Sequence, residues 1–124
     1  MAIHLTNREL DVMSVIWRLG SATVAEVRSG LHEGLAYTTV LTVLRGLESK
    51  GYVRHEASGK AFRYHPLIEA TEVGEGALGR LLDKIYRGSR EMLIARLVAD
   101  EDISEEELLR IRELLDKRLD EVDR

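Results

Sequence analysis

The sequence predicts a mainly α-helical protein with one small β-hairpin. Apolar residues recur at steps of three and four along most of the chain, which is the spacing of helices with one buried face. Residues 52–65 break this period with two short runs that contain tyrosine, valine and phenylalanine on either side of a turn. Three Ser/Thr-x-x-Glu segments mark helix starts, because each side chain of such a pair can satisfy a free backbone N–H.

The first two helices are predicted from their N-terminal caps. Thr6 with Glu9 begins the first helix, which ends at Gly20, and Thr23 with Glu26 begins a short second helix. The predicted buried faces are Leu10, Met13, Ile16 and Trp17 in the first helix, and Val24, Val27 and Leu31 in the second.

A third helix is predicted over residues 36–50, with Gly51 at its end. Its buried stripe follows the spacing i, i+3, i+4, i+7 and consists of Val40, Val43, Leu44 and Leu47. The face that points away from the core then carries Thr38, Leu41, Thr42, Arg45 and Ser49, with Thr39 at its edge. The threonines, Arg45 and Ser49 make most of this face polar. Because no acidic residue occurs on it before Glu48, the face does not repel a polyanion such as DNA.

Residues 52–56 and 61–65 are predicted to form the two strands of a hairpin, with a turn at residues 57–60 and Pro66 at its end. Three helices followed by a hairpin is the order of a winged helix-turn-helix domain. We therefore predict a winged helix-turn-helix DNA-binding domain over residues 1–66 and a helical dimerisation domain over residues 67–124.

The C-terminal part is predicted to begin with a glycine-containing junction, residues 67–79, and to continue as helices. Residues 74–79 match the dinucleotide-binding pattern GxGxxG, but they follow a hairpin rather than a parallel strand, so we interpret them as a flexible or closely packed junction.

Ser104 with Glu107 begins the last helix, whose apolar stripe needs a partner surface. A second copy of the chain can supply it, and packing within the chain is the alternative. The predicted dimerisation residues are Leu108, Ile111, Leu115 and Leu119.

The composition argues against catalysis and metal binding. The chain has no cysteine, which excludes disulfides, thiolate metal sites and a cysteine nucleophile. The four histidines lack metal-ligand spacing, although His55 and His65 could approach each other across the hairpin. We therefore expect no enzyme activity, no cofactor and no metal. Without a signal-peptide pattern or a run of roughly 20 apolar residues, we expect a cytoplasmic protein with no stable membrane association.

The net charge of −4 is unevenly distributed. Residues 1–66 hold 8 basic and 6 acidic residues, whereas residues 67–124 hold 10 basic and 16 acidic residues, so the N-terminal part can approach DNA. The candidate DNA contacts are Thr38, Thr39, Thr42 and Arg45 on the third helix, and Arg54, His55, Lys60 and Arg63 around the hairpin. Alternatively, Thr38 or Thr39 caps the helix, and the hairpin charges only discourage edge pairing.

Several segments resemble the penicillinase repressor (BlaI/MecI) family, and together they cover nearly the whole chain. They are residues 5–13 with Trp17, Ala36-Tyr37-Thr38-Thr39-Val40, Leu44 to Gly51, Phe62-Arg63-Tyr64, Tyr86-Arg87-Gly88-Ser89, and Glu101-Asp102-Ile103-Ser104 with the final helix. The resemblance implies a homodimeric transcriptional repressor that binds a dyad-symmetric double-stranded DNA operator. It places the family's base and phosphate contacts on Thr38, Thr39 and Thr42, with Tyr37 and Arg45 nearby.

The resemblance also implies a partner, a membrane-bound zinc metalloprotease that senses a cell-wall or β-lactam signal and ends repression by cutting the dimerisation domain. The Asn-Phe pair cut in well-known members falls here on Arg96-Leu97, which is the candidate cleavage region. Gly46 stands where one member has a basic residue late in the third helix. The chain lacks the C-terminal cysteine cluster of the related copper-responsive repressors, which excludes copper sensing by that route.

Two other classes of function remain open on the sequence alone. A winged-helix interaction module that does not bind DNA would agree with the net negative charge, but the lack of acidic residues over residues 36–47 argues against it. A ligand-sensing regulator would need a pocket between two copies, and residues 67–124 offer few aromatic or convergent polar groups for one.

Overall fold

The computed structural model describes residues 3–123. Within this range the helices are α1 (Asn7–Leu19), α2 (Val24–Gly30), α3 (Tyr37–Ser49), α4 (Ala70–Lys84), α5 (Arg90–Val98) and α6 (Glu105–Val122). The strands are β1 (Ala22–Thr23), which lies between α1 and α2, and β2 (Val53–Ser58) and β3 (Ala61–Pro66), which follow α3. The chain divides into two compact units, residues 1–79 and residues 80–124.

The helix starts in the first unit form as the sequence predicts. Thr6 Oγ1 accepts a hydrogen bond from the backbone N–H of Glu9 at 3.1 Å, and Glu9 Oε1 accepts from the backbone N–H of Thr6 at 2.9 Å. Thr23 and Glu26 form the same reciprocal pair at the start of α2. Each pair satisfies two N–H groups that have no partner within the helix, so α1 and α2 begin at defined residues.

The hairpin belongs to a three-stranded antiparallel sheet in which β3 lies between β1 and β2. Ser58 pairs with Ala61, so the turn is only the two residues Gly59 and Lys60, shorter than predicted. Gly59 has a φ of +63°, a conformation that a two-residue hairpin turn often requires. Strand β1 is not predicted from the sequence. It covers the other edge of β3 and thereby attaches the hairpin to the helices.

The core of the first unit joins α1, α2, α3 and the base of the hairpin. Leu10 was predicted to be buried but is 41 % exposed, because the neighbouring positions of α1 form the buried face instead. Trp17 is half-buried at the edge of the core and its Nε1–H donates to the carbonyl of Ile68 at 2.9 Å. The core residues are Leu5, Val12, Met13, Ile16, Ala22, Val24, Val27, Val40, Leu44, Leu47, Val53, Tyr64, Ile68 and Val73.

Residues 70–79 are helical, so the prediction of a junction was wrong for this segment. The preceding Ile68 and the helical Val73 are buried in the core of the first unit, which anchors the start of α4 despite its glycines. Close packing does not explain Gly74 or Gly79, because a Cβ added at either position would meet no atom within 4 Å. Packing therefore groups residues 67–79 with the first unit. The assignment of DNA binding to residues 1–66 and of dimerisation to residues 67–124 remains a prediction.

In the second unit, α5 and α6 expose most of their apolar side chains. Ser104 Oγ accepts from the backbone N–H of Glu107 at 3.1 Å, which confirms the predicted start of α6. Leu93 is the buried residue of α5, and none of the residues of α6 is buried. Across residues 3–123, no helix has both the length and the apolar character that a membrane span requires.

An ion pair between the buried Glu9 and the largely exposed Lys50 connects the start of α1 to the end of α3. Glu9 is only 7 % exposed, and Lys50 Nζ donates to its two carboxylate oxygens at 3.0 and 2.8 Å. Burial alone would raise the pKa of Glu9, but the hydrogen bonds from Lys50 and Thr6 outweigh it and hold the pKa below its ordinary value of 4.5. The ionised carboxylate therefore favours the folded state.

We expect Glu9 to contribute to acid unfolding. Because its pKa is lower in the folded chain, its stabilising effect is complete above about pH 4.5 and is lost as the pH falls through the folded-state pKa. Glu9→Gln should make the melting temperature less dependent on pH below about pH 5, whereas the exposed control Glu75→Gln should leave the profile unchanged. Thermal unfolding followed by circular dichroism at several pH values checks this, and identical acid profiles for wild type and Glu9→Gln would contradict it.

Candidate nucleic-acid interface

One face of α3 is exposed and carries the predicted DNA contacts. Thr38, Thr39, Thr42 and Arg45 are all exposed, whereas Val40, Leu44 and Leu47 on the opposite face have no exposed area. Leu41 was predicted to point away from the core, but it is half-buried against the core cluster. The outward face is thus a strip of hydroxyl groups with one guanidinium group, and it is narrower than predicted.

The hydroxyl groups of Thr38 and Thr39 are not used to cap α3. The helix begins after Ala36, and no side chain caps it. The alternative interpretation of these threonines as caps was therefore wrong. The N–H of Thr39 already donates to the carbonyl of Ala36 at 3.1 Å. The N–H groups of Tyr37 and Thr38 and the two threonine hydroxyls are the first-turn groups that can bind water or an anionic oxygen. Tyr37, at the same end of α3, is 48 % exposed.

Thr42 presents a defined chemistry to an outside ligand. Its Oγ1 donates to the carbonyl oxygen of Thr38 at 2.8 Å, so the hydroxyl proton is already engaged within the helix. The methyl group and the free lone pairs of Oγ1 remain at the surface. A methyl group can contact the thymine methyl, and the lone pairs can accept from an adenine or cytosine amino group in the major groove.

Five basic side chains of the predicted interface differ in their partners. Among the described residues, Arg45 on α3 and Lys60 in the hairpin turn have no ion pair. Arg54 lies 3.7 Å from Glu56, and Arg63 lies 2.9 Å from Glu26. The remaining member of the set, His55, is paired with Glu48 on α3. Arg45 and Lys60 are therefore the cations most available to DNA phosphates.

The pair of Arg63 and Glu26 attaches β3 to the start of α2. Arg63 also donates to Ser21 Oγ at 3.3 Å. The pKa of Glu26 is lowered, first by the backbone N–H of Thr23 and further by Arg63, so the carboxylate stays ionised at neutral pH. This contact supports the base of the hairpin independently of α3.

The histidines of the hairpin do not converge on a common site. His55 bonds to Glu48, whereas His65 Nε2 lies 2.7 Å from Glu56 Oε1. The hydrogen bond from His65 and its charge lower the pKa of Glu56. The expectation that His55 and His65 approach each other was wrong, because adjacent rungs of the hairpin place them on opposite faces of the sheet. No group of three potential metal ligands occurs within residues 3–123.

Glu48 is the residue of this surface whose role the sequence did not predict. It pairs with His55 on β2, and its charge adds to the rise that burial gives to the pKa of the Tyr64 phenol. Its position seven residues before a histidine follows no recognised spacing rule. Only the approach of α3 to β2 brings the two side chains together.

A short second helix, an exposed hydroxyl-rich third helix and an adjoining hairpin define a winged helix-turn-helix protein. The sequence profile of the family described as penicillinase repressor matches residues 5–117. The chain therefore belongs to the penicillinase repressor family. Membership confirms the predicted fold and the prediction of a DNA-binding transcriptional repressor rather than an enzyme.

Individual relatives agree with this assignment. The transcriptional regulator BlaI of Mycobacterium tuberculosis (strain CDC 1551 / Oshkosh) is 34 % identical over 111 residues, which span 86 % of this chain and 80 % of that protein. The methicillin resistance regulatory protein MecI of Staphylococcus aureus (strain N315) is 25 % identical over 117 residues, 93 % of this chain and 95 % of that protein. The solution structure of monomeric Bacillus licheniformis BlaI with the blaP half-operator has a TM-score of 0.50 at 31 % identity, covering 58 % of this chain and 90 % of that one.

Proposed function

We propose that the protein represses transcription as a homodimer that binds a dyad-symmetric operator, with α3 in the major groove and the hairpin along the backbone. The observation that carries this proposal is the exposed strip of Thr38, Thr39, Thr42 and Arg45 beside the unpaired Lys60. Small hydroxyl side chains allow a helix to approach the bases closely, and the two cations suit phosphates. The half-operator bound by the monomeric Bacillus licheniformis relative supports one DNA-binding unit per half-site.

Helix α6 supplies the argument for the dimer. None of its residues is buried, although it has apolar residues at helical spacing along 18 residues. Such an amphipathic helix normally buries its apolar face, and a second copy provides an identical face in a two-fold arrangement. A two-fold dimer presents two recognition helices roughly 34 Å apart, one turn of DNA. The exposed apolar residues of α6 are Leu108, Leu109, Leu114, Leu115, Leu119 and Val122.

We further propose that repression in the cytoplasm ends by proteolysis of the second unit after a cell-wall or β-lactam signal, with a membrane metalloprotease sensor as the partner. Family membership supports this part of the proposal. The aligned pair Arg96-Leu97 lies in α5, and Leu97 is 61 % exposed. A protease needs an extended substrate, so cleavage there requires local unwinding of α5. Mass spectrometry of the chain recovered from cells treated with a β-lactam would identify the cut, and an intact chain would refute this step.

The test of DNA binding is fluorescence anisotropy with a palindromic fragment from upstream of the protein's own gene, against a scrambled duplex. At about 150 mM salt, where nonspecific binding is weak, we expect binding to the palindrome at least about 10³-fold tighter than to the scrambled duplex. We also expect a steep loss of affinity with added salt, because phosphate contacts release counterions. Equal affinity for both duplexes would contradict the assignment of this fragment as an operator.

A further inference from the structure

Glu48 joins the recognition helix α3 to the hairpin through three contacts. It lies one residue before the end of α3, and its Oε2 accepts the backbone N–H of His55 at 3.1 Å. Its Oε1 and Oε2 lie 2.7 and 2.6 Å from His55 Nδ1. One carboxylate thus holds both the main chain and the side chain of the third residue of β2.

These contacts occur where the hairpin leaves the core. His55 pairs with Tyr64 across the sheet, and Tyr64 is only 2 % exposed. Closer to the turn, the rung of Ala57 with Phe62 is exposed, and Phe62 is 53 % exposed. One rung closer to the turn, Arg63 is still held by Glu26 of α2, and beyond that rung no side chain of the hairpin is buried. Within residues 3–123, Glu48 supplies the side-chain hydrogen bonds that join α3 itself to the hairpin.

The ring of His55 also packs within the hairpin. Its centroid lies 4.8 Å from the ring of Phe62 and 5.6 Å from the ring of Tyr64, both in tilted geometry. Glu48 therefore acts on a cluster of three rings that spans both strands. An anchor on His55 therefore acts on both strands, alongside the pair of Arg63 with Glu26 that holds β3 to α2.

We propose that Glu48 is a positioning residue that sets the angle of the hairpin against α3, so that Lys60 meets the DNA backbone while α3 lies in the groove. This inference rests on the proposed function. A carboxylate beside a DNA-binding helix repels phosphates, and its charge alone would weaken binding. The bonds to His55 give this position a structural use that compensates for the repulsion.

Two substitutions separate the anchor from the charge. Glu48→Gln removes the charge but keeps an amide oxygen that can accept the N–H of His55, whereas Glu48→Ala removes both. Glu56→Ala is the matched control, since Glu56 also pairs with a histidine of the hairpin but forms its ion pairs within the hairpin, with His65 and Arg54. All three variants remove one negative charge, so differences among them report the anchor.

The first measurement uses the free protein and does not depend on DNA binding. We expect the NMR order parameters of Gly59 and Lys60 to be near the rigid value of about 0.85 in wild type and Glu48→Gln, and below about 0.6 in Glu48→Ala. Glu56→Ala should resemble wild type. Equal order parameters in wild type and Glu48→Ala would overturn the proposal even if the protein binds no operator.

The second measurement uses operator DNA. We expect Glu48→Ala to bind the operator about tenfold more weakly than wild type. The slope of the logarithm of the binding constant against the logarithm of the salt concentration should be smaller in magnitude by about 0.9 for each phosphate that Lys60 no longer neutralises. Glu48→Gln should bind at least as tightly as wild type and keep the wild-type slope. Changing an operator base pair that faces α3 should reduce the binding affinity by the same factor in all variants. Tighter binding by both Glu48 variants would show that Glu48 acts only as a repulsive charge, and would overturn the proposal. Absence of specific binding by wild type itself would instead refute the proposed function.

Discussion

Thr42→Glu is expected to abolish operator binding while leaving the fold intact. The substitution replaces a methyl and a hydroxyl group on the exposed face of α3 with a carboxylate on the proposed DNA-reading surface. In each copy it removes an interaction with a base worth about 1–3 kcal/mol and adds repulsion from phosphates, so a dimer should bind at least about 100-fold more weakly. Fluorescence anisotropy with the operator fragment measures this decrease in affinity.

The control for this substitution is Thr71→Glu. Thr71 is also an exposed helical threonine, but it lies in the first turn of α4, outside the proposed interface. Both variants should keep the wild-type melting temperature, because exposed substitutions usually change stability by less than about 0.5 kcal/mol. Normal operator affinity in a folded Thr42→Glu protein would exclude the outer face of α3 as the DNA-reading surface.

Leu115→Glu is expected to convert the protein to a monomer and to weaken binding to a full operator. Leu115 is 48 % exposed in the single chain and lies in the middle of α6. In a two-fold interface the new carboxylate would be buried twice without a partner, at a cost of several kcal/mol. Because linked DNA-binding units gain about 10²- to 10⁴-fold in avidity, disruption of the dimer should reduce full-site affinity to nearly that of a half-site.

Sedimentation equilibrium at micromolar concentration distinguishes the monomer from the dimer. Fluorescence anisotropy with full and half operators measures how much affinity is gained when two DNA-binding units are linked. Lys117→Gln is the matched control, since it changes the net charge by the same amount on the more polar side of α6. We expect it to remain a dimer with wild-type affinity for the full site. A dimeric Leu115→Glu protein would assign the partner surface to another part of the second unit.

The elements predicted well from the sequence are those specified by local chemistry. The caps at Thr6 and Thr23 are complete within four residues, so their signals are readable without the fold. The hairpin is marked by Gly59, whose positive φ suits a two-residue turn. Each of these features depends on interactions between near neighbours, which is why pattern alone indicates them.

The features missed are those that depend on residues distant in the sequence. Strand β1 is two residues long and is defined only by its pairing with β3. Helix α4 forms despite three glycines because Ile68 and Val73 are buried in the core, which outweighs a cost of about 1 kcal/mol per glycine. The bond between Glu48 and His55 requires the approach of α3 to β2. Tertiary packing determines all three, and periodicity does not encode it.

The exposure of the proposed contact residues on α3 was predicted from the sequence, but the pairing among the side chains of this surface was not. The exposed threonines and Arg45 follow from the helical stripe of α3. The ion pair between Arg63 and Glu26 could not be predicted, because these residues lie far apart in the sequence and meet only through the β1–β3 pairing. The predicted set therefore divides into the unpaired cations Arg45 and Lys60, which suit phosphates, and paired side chains, of which Arg63 and His55 attach the hairpin to the helices.

The measurement that tests the central claim most directly is selection of binding sites from a random double-stranded DNA library by the full chain. A homodimer that reads DNA with two copies of α3 should enrich an inverted repeat whose half-sites are centred about 10 base pairs apart or a multiple of that distance. Thr42→Glu should fail to enrich this repeat. Enrichment of no sequence, or of a single asymmetric site by the wild-type chain, would contradict the account.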